Sequence, residues 1–385
     1  MAFGHYRPST MARALLSGVL LLAAACTAPG ASRGPALTQS ELLAAMPDAP
    51  PPISSEQAFG LDEEMRAFVA ARVAGFNDPG TRVRALLRGM DEHGLFSLEY
   101  TDAGTRTARE TFHDRQANCL SATMLLVGLG REAGLDVRYQ TVDVPPRWSS
   151  EAGIVVVSSH INAIVKSRSQ NYIVDFNLID FRGNYETREV DDSYALALFY
   201  NNLGVEALLR EEYDLSMQYL RAAIEAHPGV SHPWANLGLL YARLGQHDFS
   251  DAAYLHALEA DPSDRTALTN LMHLHASLGN DELAAVYRDR IGRNQQRNPY
   301  SHFALAQAAY DEKRLDDALA ALGRAIRIKH DEHQFYFLQG RVRLDLGQTE
   351  RAEGSFARAK RYAAPEVRAV YEATIEEVAG RQAPL

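Results

Sequence analysis

The spacing of apolar residues changes along the chain, and each change predicts a different kind of secondary structure. In the stretches 61–76, 81–92 and 119–134, apolar residues recur every three or four positions, as they do in helices. Between 137 and 176 the period falls to two or the runs become β-branched, which predicts strands. From about residue 199 the helical spacing returns. The sequence therefore predicts helices, then a small sheet, then a second set of helices.

The most apolar helical stretch opens with the polar sequence 118–121, Asn-Cys-Leu-Ser. Leu120 and Met124 are the first of its apolar residues at helical spacing, and Gly134 is a typical stop. Cys119 is therefore expected in the first turn of a buried helix. There, free backbone N–H groups and the positive end of the helix dipole favour a thiolate over a thiol. Cys119 is a candidate nucleophile.

Two further polar residues lie in the strand-forming region. Strands are predicted at 137–144, ended by Pro145-Pro146, and at 154–157, 160–165 and 172–176. The segment 167–171 is typical of a hairpin loop, and the hairpin would place His160 within diagonal reach of Asp175. A histidine beside the thiol raises the thiolate fraction, and a carboxylate fixes the tautomer of the ring. Helices followed by a small antiparallel sheet make this an α+β domain.

The second half of the chain repeats with a period of about 34 residues. The clearest unit contains Trp234, Leu237, Gly238 and Tyr241, with Ala257 and Pro262 after them. This W-x2-L-G-x2-Y pattern resembles the tetratricopeptide family, and about five units in phase begin near residues 199, 231, 265, 299 and 333. The resemblance implies an all-α solenoid at 191–364 that binds protein or peptide partners, with a capping helix and tail at 365–385.

Three asparagines occupy the same position in consecutive repeats, one residue before the consensus leucine: Asn202, Asn236 and Asn270. In tetratricopeptide proteins this position lines the concave groove, where an amide side chain hydrogen-bonds an extended peptide. The alternative is that these side chains bridge adjacent helices or face water, since buried and groove amides both need partners.

The N-terminus is expected to be a targeting segment. Arg13 precedes the short apolar run 14–22, small residues follow at 23–25, and the run is too short for a comfortable transmembrane helix. Small residues before Cys26 resemble the lipobox of bacterial lipoproteins. The resemblance implies a signal peptide at 1–26, lipidation of Cys26, and attachment to the outer membrane facing the periplasm, because Thr27 is not the Asp that retains many lipoproteins at the inner membrane. An ordinary secretory signal with an incidental cysteine is the alternative.

Composition narrows the possible functions. The Pro-, Ala- and Ser-rich segment 27–54 predicts a flexible tether. A chain of 385 residues, 46% hydrophobic and 23% charged, predicts a globular protein of two domains. A net charge of −10 argues against nucleic acid as the main partner. Histidines without metal-ligand spacing and the absence of a phosphate-binding glycine loop predict neither a metal nor a cofactor.

Cys119, His160 and Asp175, in this order on a helix start and two strands, resemble the transglutaminase-like branch of the papain-like superfamily. The motifs that carry the resemblance are at 105–108, 118–121, 134–137, 160–162 and 174–176. The chain also resembles bacterial proteins that couple this domain to tetratricopeptide repeats. The resemblance implies an α+β transglutaminase-like (papain-like) domain at 55–190, with Cys119 as nucleophile, His160 as base and Asp175 as the residue that orients the imidazole.

Such a site acts on amide bonds, as a peptidase or amidase when water is the second acceptor and as a transamidase when an amine is. We expect hydrolysis. The backbone N–H of Cys119 is a candidate oxyanion donor, as are Gln116 and, by analogy with an aromatic residue of some transglutaminases, Trp148. The competing hypothesis is a scaffold in which this domain is catalytically silent and the repeats bind partners.

Overall fold

The computed structural model describes residues 37–95, 99–100, 104–151, 154–167, 171–176 and 187–363, together with residues 367–368, 371–372 and 375. At 99–100, 143–151 and 154–159 it describes the backbone alone. The predicted signal peptide, with Cys26, and the first part of the predicted tether lie outside these ranges.

In the described part of the first half of the chain, the structure has six helices and a small sheet. The helices are α1 (Gln39–Ala44), α2 (Ser55–Phe59), α3 (Glu63–Val73), α4 (Pro79–Glu92), α5 (Ala108–Asp114) and α6 (Cys119–Glu132). Most of these helices begin at a Thr, Ser, Asp or Asn whose side chain accepts a hydrogen bond from the first turn, which satisfies a backbone donor there. Helix α6 is the central one, since ten of its fourteen residues are buried.

The main sheet is antiparallel, with the strand order β5-β4-β3-β6. Its strands are β3 (Asp136–Glu151), β4 (Ile154–Lys166), β5 (Tyr172–Val174) and β6 (Thr187–Val190), and a separate parallel pair joins β1 (Glu99–Tyr100) to β2 (Gln116–Ala117). The pairing of β4 with β5 confirms the predicted hairpin.

Two predictions about the strands were wrong. Pro145 and Pro146 do not end β3, which continues to Glu151, and the two runs predicted at 154–157 and 160–165 form one strand. The register between β3 and β4 shifts between Val142 and Arg147, the interval that contains the prolines. A proline has no N–H for the ladder, and an irregularity of this kind lets the chain accommodate it without ending the strand.

Between residues 187 and 363, ten helices pair in sequence order. They are α7 (Asp192–Leu209), α8 (Tyr213–Ala226), α9 (Ser231–Arg243), α10 (His247–Ala260), α11 (Arg265–Ser277), α12 (Asp281–Arg297), α13 (Pro299–Asp311), α14 (Leu315–Ile328), α15 (His333–Asp345) and α16 (Thr349–Tyr362). The contacts repeat with the sequence: Ser216 Oγ donates to Gly204 O, and Ser250 Oγ donates to Gly238 O, both at 2.8 Å. A Cβ at position 238 would lie 2.6 Å from Cδ1 of Tyr254, so only glycine fits there.

The predicted tether is partly folded, so this prediction was wrong for its described part. Helix α1 lies within it and begins with a capping box at Thr38. Leu42 of this helix and Met46, two residues after it, are buried in a core cluster with side chains of α8, α9 and α10. Arg221 Nη1 also donates to the carbonyl of Pro47 at 3.0 Å. These apolar and polar contacts attach the segment to the solenoid, which a composition rich in proline and alanine did not reveal.

The hydrophobic core does not stop at the predicted domain boundary near residue 190. One cluster of buried side chains includes Met124 and Leu126 of α6, Phe199 and Leu203 of α7, and Tyr219 of α8. The first helix pair of the solenoid is therefore packed into the core of the preceding domain. Within the described part of the chain, no helix is long and apolar enough to cross a membrane.

Candidate active site

Cys119 lies at the start of α6, as the sequence predicts. Asn118 has an extended backbone and caps the helix, because its Oδ1 accepts a hydrogen bond from the N–H of Ser121 at 2.9 Å. Cys119 is the first helical residue and is only partly buried. Its thiol is thus at the end of the helix where backbone N–H groups are not used within the helix.

His160 and Asp175 lie next to each other on the hairpin of β4 and β5. The imidazole Nε2 is 2.6 Å from Oδ2 of Asp175, and the two side chains are only 4% and 9% exposed. Asn162, two residues after His160, donates its Nδ2 to the same Asp175 oxygen at 3.0 Å. The predicted closeness of His160 and Asp175 is confirmed.

The imidazole of His160 also hydrogen-bonds the thiol of Cys119. Burial by itself would lower the pKa of His160, but its hydrogen bonds to and electrostatic interactions with Asp175 and Cys119 outweigh that effect. The pKa of His160 is raised from 6.5 to about 9. The ring is therefore positively charged near neutral pH, beside the sulfur and against a carboxylate.

Gln116 is held by Arg106. One guanidinium nitrogen of Arg106 donates to Oε1 of Gln116 at 2.7 Å, and the other donates to Oδ2 of Asp114 at 2.6 Å. A guanidinium has no acceptor, so the Gln116 amide must turn its oxygen to Arg106 and its NH2 group elsewhere. The orientation of this amide is fixed by a residue outside the predicted set.

Sequence reasoning missed Arg106 and Asn162, although both lie in motifs that the resemblance uses. Asn162 could have been found, because residues i and i+2 of a strand share a face and Asn162 follows His160 by two. Arg106 could not, since it reaches Gln116 from a loop ten positions away in the sequence.

The other predicted site residues have mixed outcomes. Trp148 is in β3, with Val157 as its Cα partner, and its side chain lies outside what the structure describes. In the repeats, Asn236 Nδ2 donates to Asn201 Oδ1 at 2.8 Å, and Asn270 hydrogen-bonds the hydroxyl of Tyr254. Both contacts join neighbouring helices, which favours the structural alternative for these two residues. Asn202 is half-buried.

Among the described residues, no group of three or more His, Cys, Asp or Glu side chains is arranged to hold a metal ion.

Residues 231–264 match the tetratricopeptide repeat family. Two curated proteins are similar: anaphase-promoting complex subunit 3 of Schizosaccharomyces pombe, 25% identical over 154 residues, and the protein ycf37 of Guillardia theta, 27% identical over 110 residues. The matches cover 40% and 29% of this chain but only 23% and 62% of those proteins, so the chain spans less than two thirds of either.

Solved structures with similar stretches include MamA from Desulfovibrio magneticus RS-1, with 16% identity and a TM-score of 0.24 over 43% of this chain and 94% of that one. YrrB, described as a TPR protein with an unusual peptide-binding site, has 16% identity and a TM-score of 0.24 over 46% and 92%. PilF of Pseudomonas aeruginosa has 13% identity and a TM-score of 0.27 over 49% and 94%. The family match identifies the C-terminal region as one that carries tetratricopeptide repeats.

Asp175→Asn should lower the pKa of His160 from about 9, because the variant keeps a hydrogen-bond acceptor but loses the negative charge. NMR titration of the ring measures this, and Glu189→Gln, in the same sheet but paired with Arg138 and Lys166, is the control. An unchanged midpoint in Asp175→Asn would contradict the assignment.

The raised pKa of His160 also makes the free energy of unfolding depend on pH. The folded-state pKa of His160 lies above its unfolded value of about 6.5, so its protonated ring stabilises the fold fully below pH 6.5. That contribution is lost as the pH rises through about 9, and Asp175→Asn should reduce the loss.

Proposed function

We propose that the first half of the chain is a transglutaminase-like thiol enzyme that acts on an amide bond. The observation that supports this most is the convergence of three groups: the buried imidazole of His160 hydrogen-bonds both the Cys119 thiol and the Asp175 carboxylate. This is the relation between nucleophile, base and orienting residue that thiol acyl transfer requires.

In the proposed reaction, the sulfur of Cys119 attacks the carbonyl carbon of the amide while His160 holds the proton. The tetrahedral intermediate collapses when His160 gives that proton to the leaving amine, and a thioacyl group remains on Cys119. Water, deprotonated by His160, then releases a carboxylic acid and restores the thiol. An amine in place of water would give a new amide. We favour hydrolysis, so that the protein is a peptidase or amidase.

The oxyanion of the intermediate would be held by the backbone N–H of Cys119 and the NH2 group of Gln116. The first belongs to the first turn of α6, where backbone N–H groups have no acceptor within the helix. The second is turned away from Arg106, because that residue binds the amide oxygen. Trp148 is a further candidate from the resemblance alone.

The repeats would bind a protein or peptide, which is what tetratricopeptide solenoids do, and so recruit a substrate or hold the enzyme in an assembly. The family match at 231–264 also supports a second function, a scaffold in which the thiol domain is silent and only the repeats act. The two functions differ in the reactivity of the Cys119 sulfur, which is activated in the proposed enzyme and ordinary in the scaffold.

Alkylation of Cys119 by iodoacetamide, followed as a function of pH, separates the two functions. We expect a fast reaction that persists well below the ordinary cysteine pKa of about 8.5 and is lost in His160→Ala, since an imidazolium beside the sulfur favours the thiolate. Gln116→Ala should react as fast as the parent, because alkylation forms no oxyanion. A slow reaction indifferent to His160 would favour the scaffold.

We also propose that the protein is exported and anchored to the outer membrane through lipid on Cys26, facing the periplasm. The support is the sequence at 13–26, with its short apolar run and small residues before a single cysteine. Cell fractionation tests it: the parent should sediment with membranes, and Cys26→Ser should be retained as an uncleaved, unlipidated precursor. Equal lipid labelling of the two proteins would contradict the anchor.

A further inference from the structure

The loop at 104–107, which precedes α5, is bound by a carboxylate of the solenoid. The N–H of Thr105 donates to Oε1 of Glu206 at 2.6 Å, and Glu206 lies in the last turn of α7, the first helix of the first repeat. Gly104 has a φ of +40°, and a Cβ there would lie 3.6 Å from the other oxygen of Glu206. The loop therefore fits closely against this one side chain, which comes 101 residues later in the chain.

The same loop holds the start of the nucleophile helix. Asn118, the cap of α6, donates its Nδ2 to Oγ1 of Thr105 at 3.0 Å. The N–H of Arg106 donates to Oγ of Ser121 at 2.9 Å, and Ser121 is fully buried. These two bonds join the loop to the residues on either side of Cys119 and Leu120. A shift of the loop would displace the cap and the first turn of α6 together.

Arg106 extends this arrangement to the proposed oxyanion donor. Its backbone is bound to Ser121, and its guanidinium orients the amide of Gln116. Three residues within three positions of Cys119 in the chain are therefore bonded to one loop: the helix cap Asn118, the first-turn Ser121 and Gln116.

Helix α7 is connected to α6 near both of its ends, directly at one end and through the loop at 104–107 at the other. Asp192, the first residue of α7, accepts two hydrogen bonds from Arg131, in the last turn of α6, at 2.7 and 2.8 Å. Glu206, near the end of α7, reaches the start of α6 through Thr105. The first helix of the solenoid thus runs antiparallel to α6. It is connected to α6 at two separate points, and only one of them is next to Cys119.

We propose that Glu206 is a positioning residue of the thiol site, so that the first repeat sets the geometry around Cys119 through Thr105 and Arg106. This inference rests on the proposed function. The solenoid is then part of the enzyme. A protein bound to the repeats is connected to the Cys119 sulfur through Glu206 and the loop at 104–107, and this connection is how it would change the reactivity of the sulfur.

The test uses the iodoacetamide reaction of Cys119 on the full chain. Glu206→Ala should slow alkylation near pH 7 by about 10-fold, because small misplacements of reacting groups have effects of this size or larger. Glu206→Gln should restore the rate, since its amide oxygen still accepts from Thr105. Asp192→Ala is the matched control: it removes an acidic contact between the same two helices at the far end of α6, and its rate should equal the parent's.

A Glu206→Ala rate equal to the parent's would overturn the inference, as would an equal loss in Asp192→Ala, which would mean that both residues only hold the two halves together. A Glu206→Gln rate as slow as that of Glu206→Ala would also overturn it. Should the alanine variant unfold, Glu206→Asp, which is one methylene shorter, should give a smaller but measurable loss.

The two proposals fail separately. If the parent reacts without dependence on His160, the proposed function fails and this inference with it. If the parent depends on His160 but the Glu206 variants react like the parent, only the inference fails.

Discussion

The hydrogen bond between the buried His160 and Asp175 is the interaction on which the rest of the candidate site depends. It joins β4 to the residue that directly follows β5, and the bond is made by side chains that are almost wholly removed from water. Loss of one partner from such a pair leaves a buried charge without compensation, which typically costs about 3–5 kcal/mol. A one-residue slip of β5 against β4 would turn Asp175 to the other face of the sheet, so the bond also requires one register. The raised pKa of His160 follows from the same contact.

The second constraint is the start of α6. Cys119 is placed by its cap at Asn118, and that cap is in turn bound by the loop that Glu206 of the solenoid holds. The core is continuous across this junction, because Phe199 of the first repeat is buried in the same cluster as Met124 of α6. A thiol domain and a repeat solenoid that share a core behave as one unit, in contrast to domains joined by a linker. Under the proposed function, the repeats therefore contribute to the site as well as to partner binding.

Local patterns in the sequence predicted much of the fold and of the candidate site. The polar opening of an apolar helix placed Cys119, the hairpin loop placed His160 near Asp175, and the 34-residue period placed the repeats. Prediction failed where the deciding contact is distant in sequence. The prolines of β3 were tolerated because of a register shift against β4, the predicted tether was folded by Leu42 in a core formed elsewhere, and Asn236 found its partner in the preceding repeat. The bonds from Glu206 to Thr105 and from Arg106 to Gln116 are of the same kind.

The central claim is that the sulfur of Cys119 accepts an acyl group. Pre-steady-state reaction with p-nitrophenyl acetate, combined with the intact mass of the protein, tests this most directly, because a thioacyl intermediate that forms faster than it hydrolyses gives a burst of product. We expect a burst of about one equivalent of nitrophenol and one acetyl group on Cys119, both absent in Cys119→Ala and strongly reduced in His160→Ala. Release of nitrophenol without a burst, at the same rate in the parent and in Cys119→Ala, would contradict the claim that Cys119 accepts an acyl group.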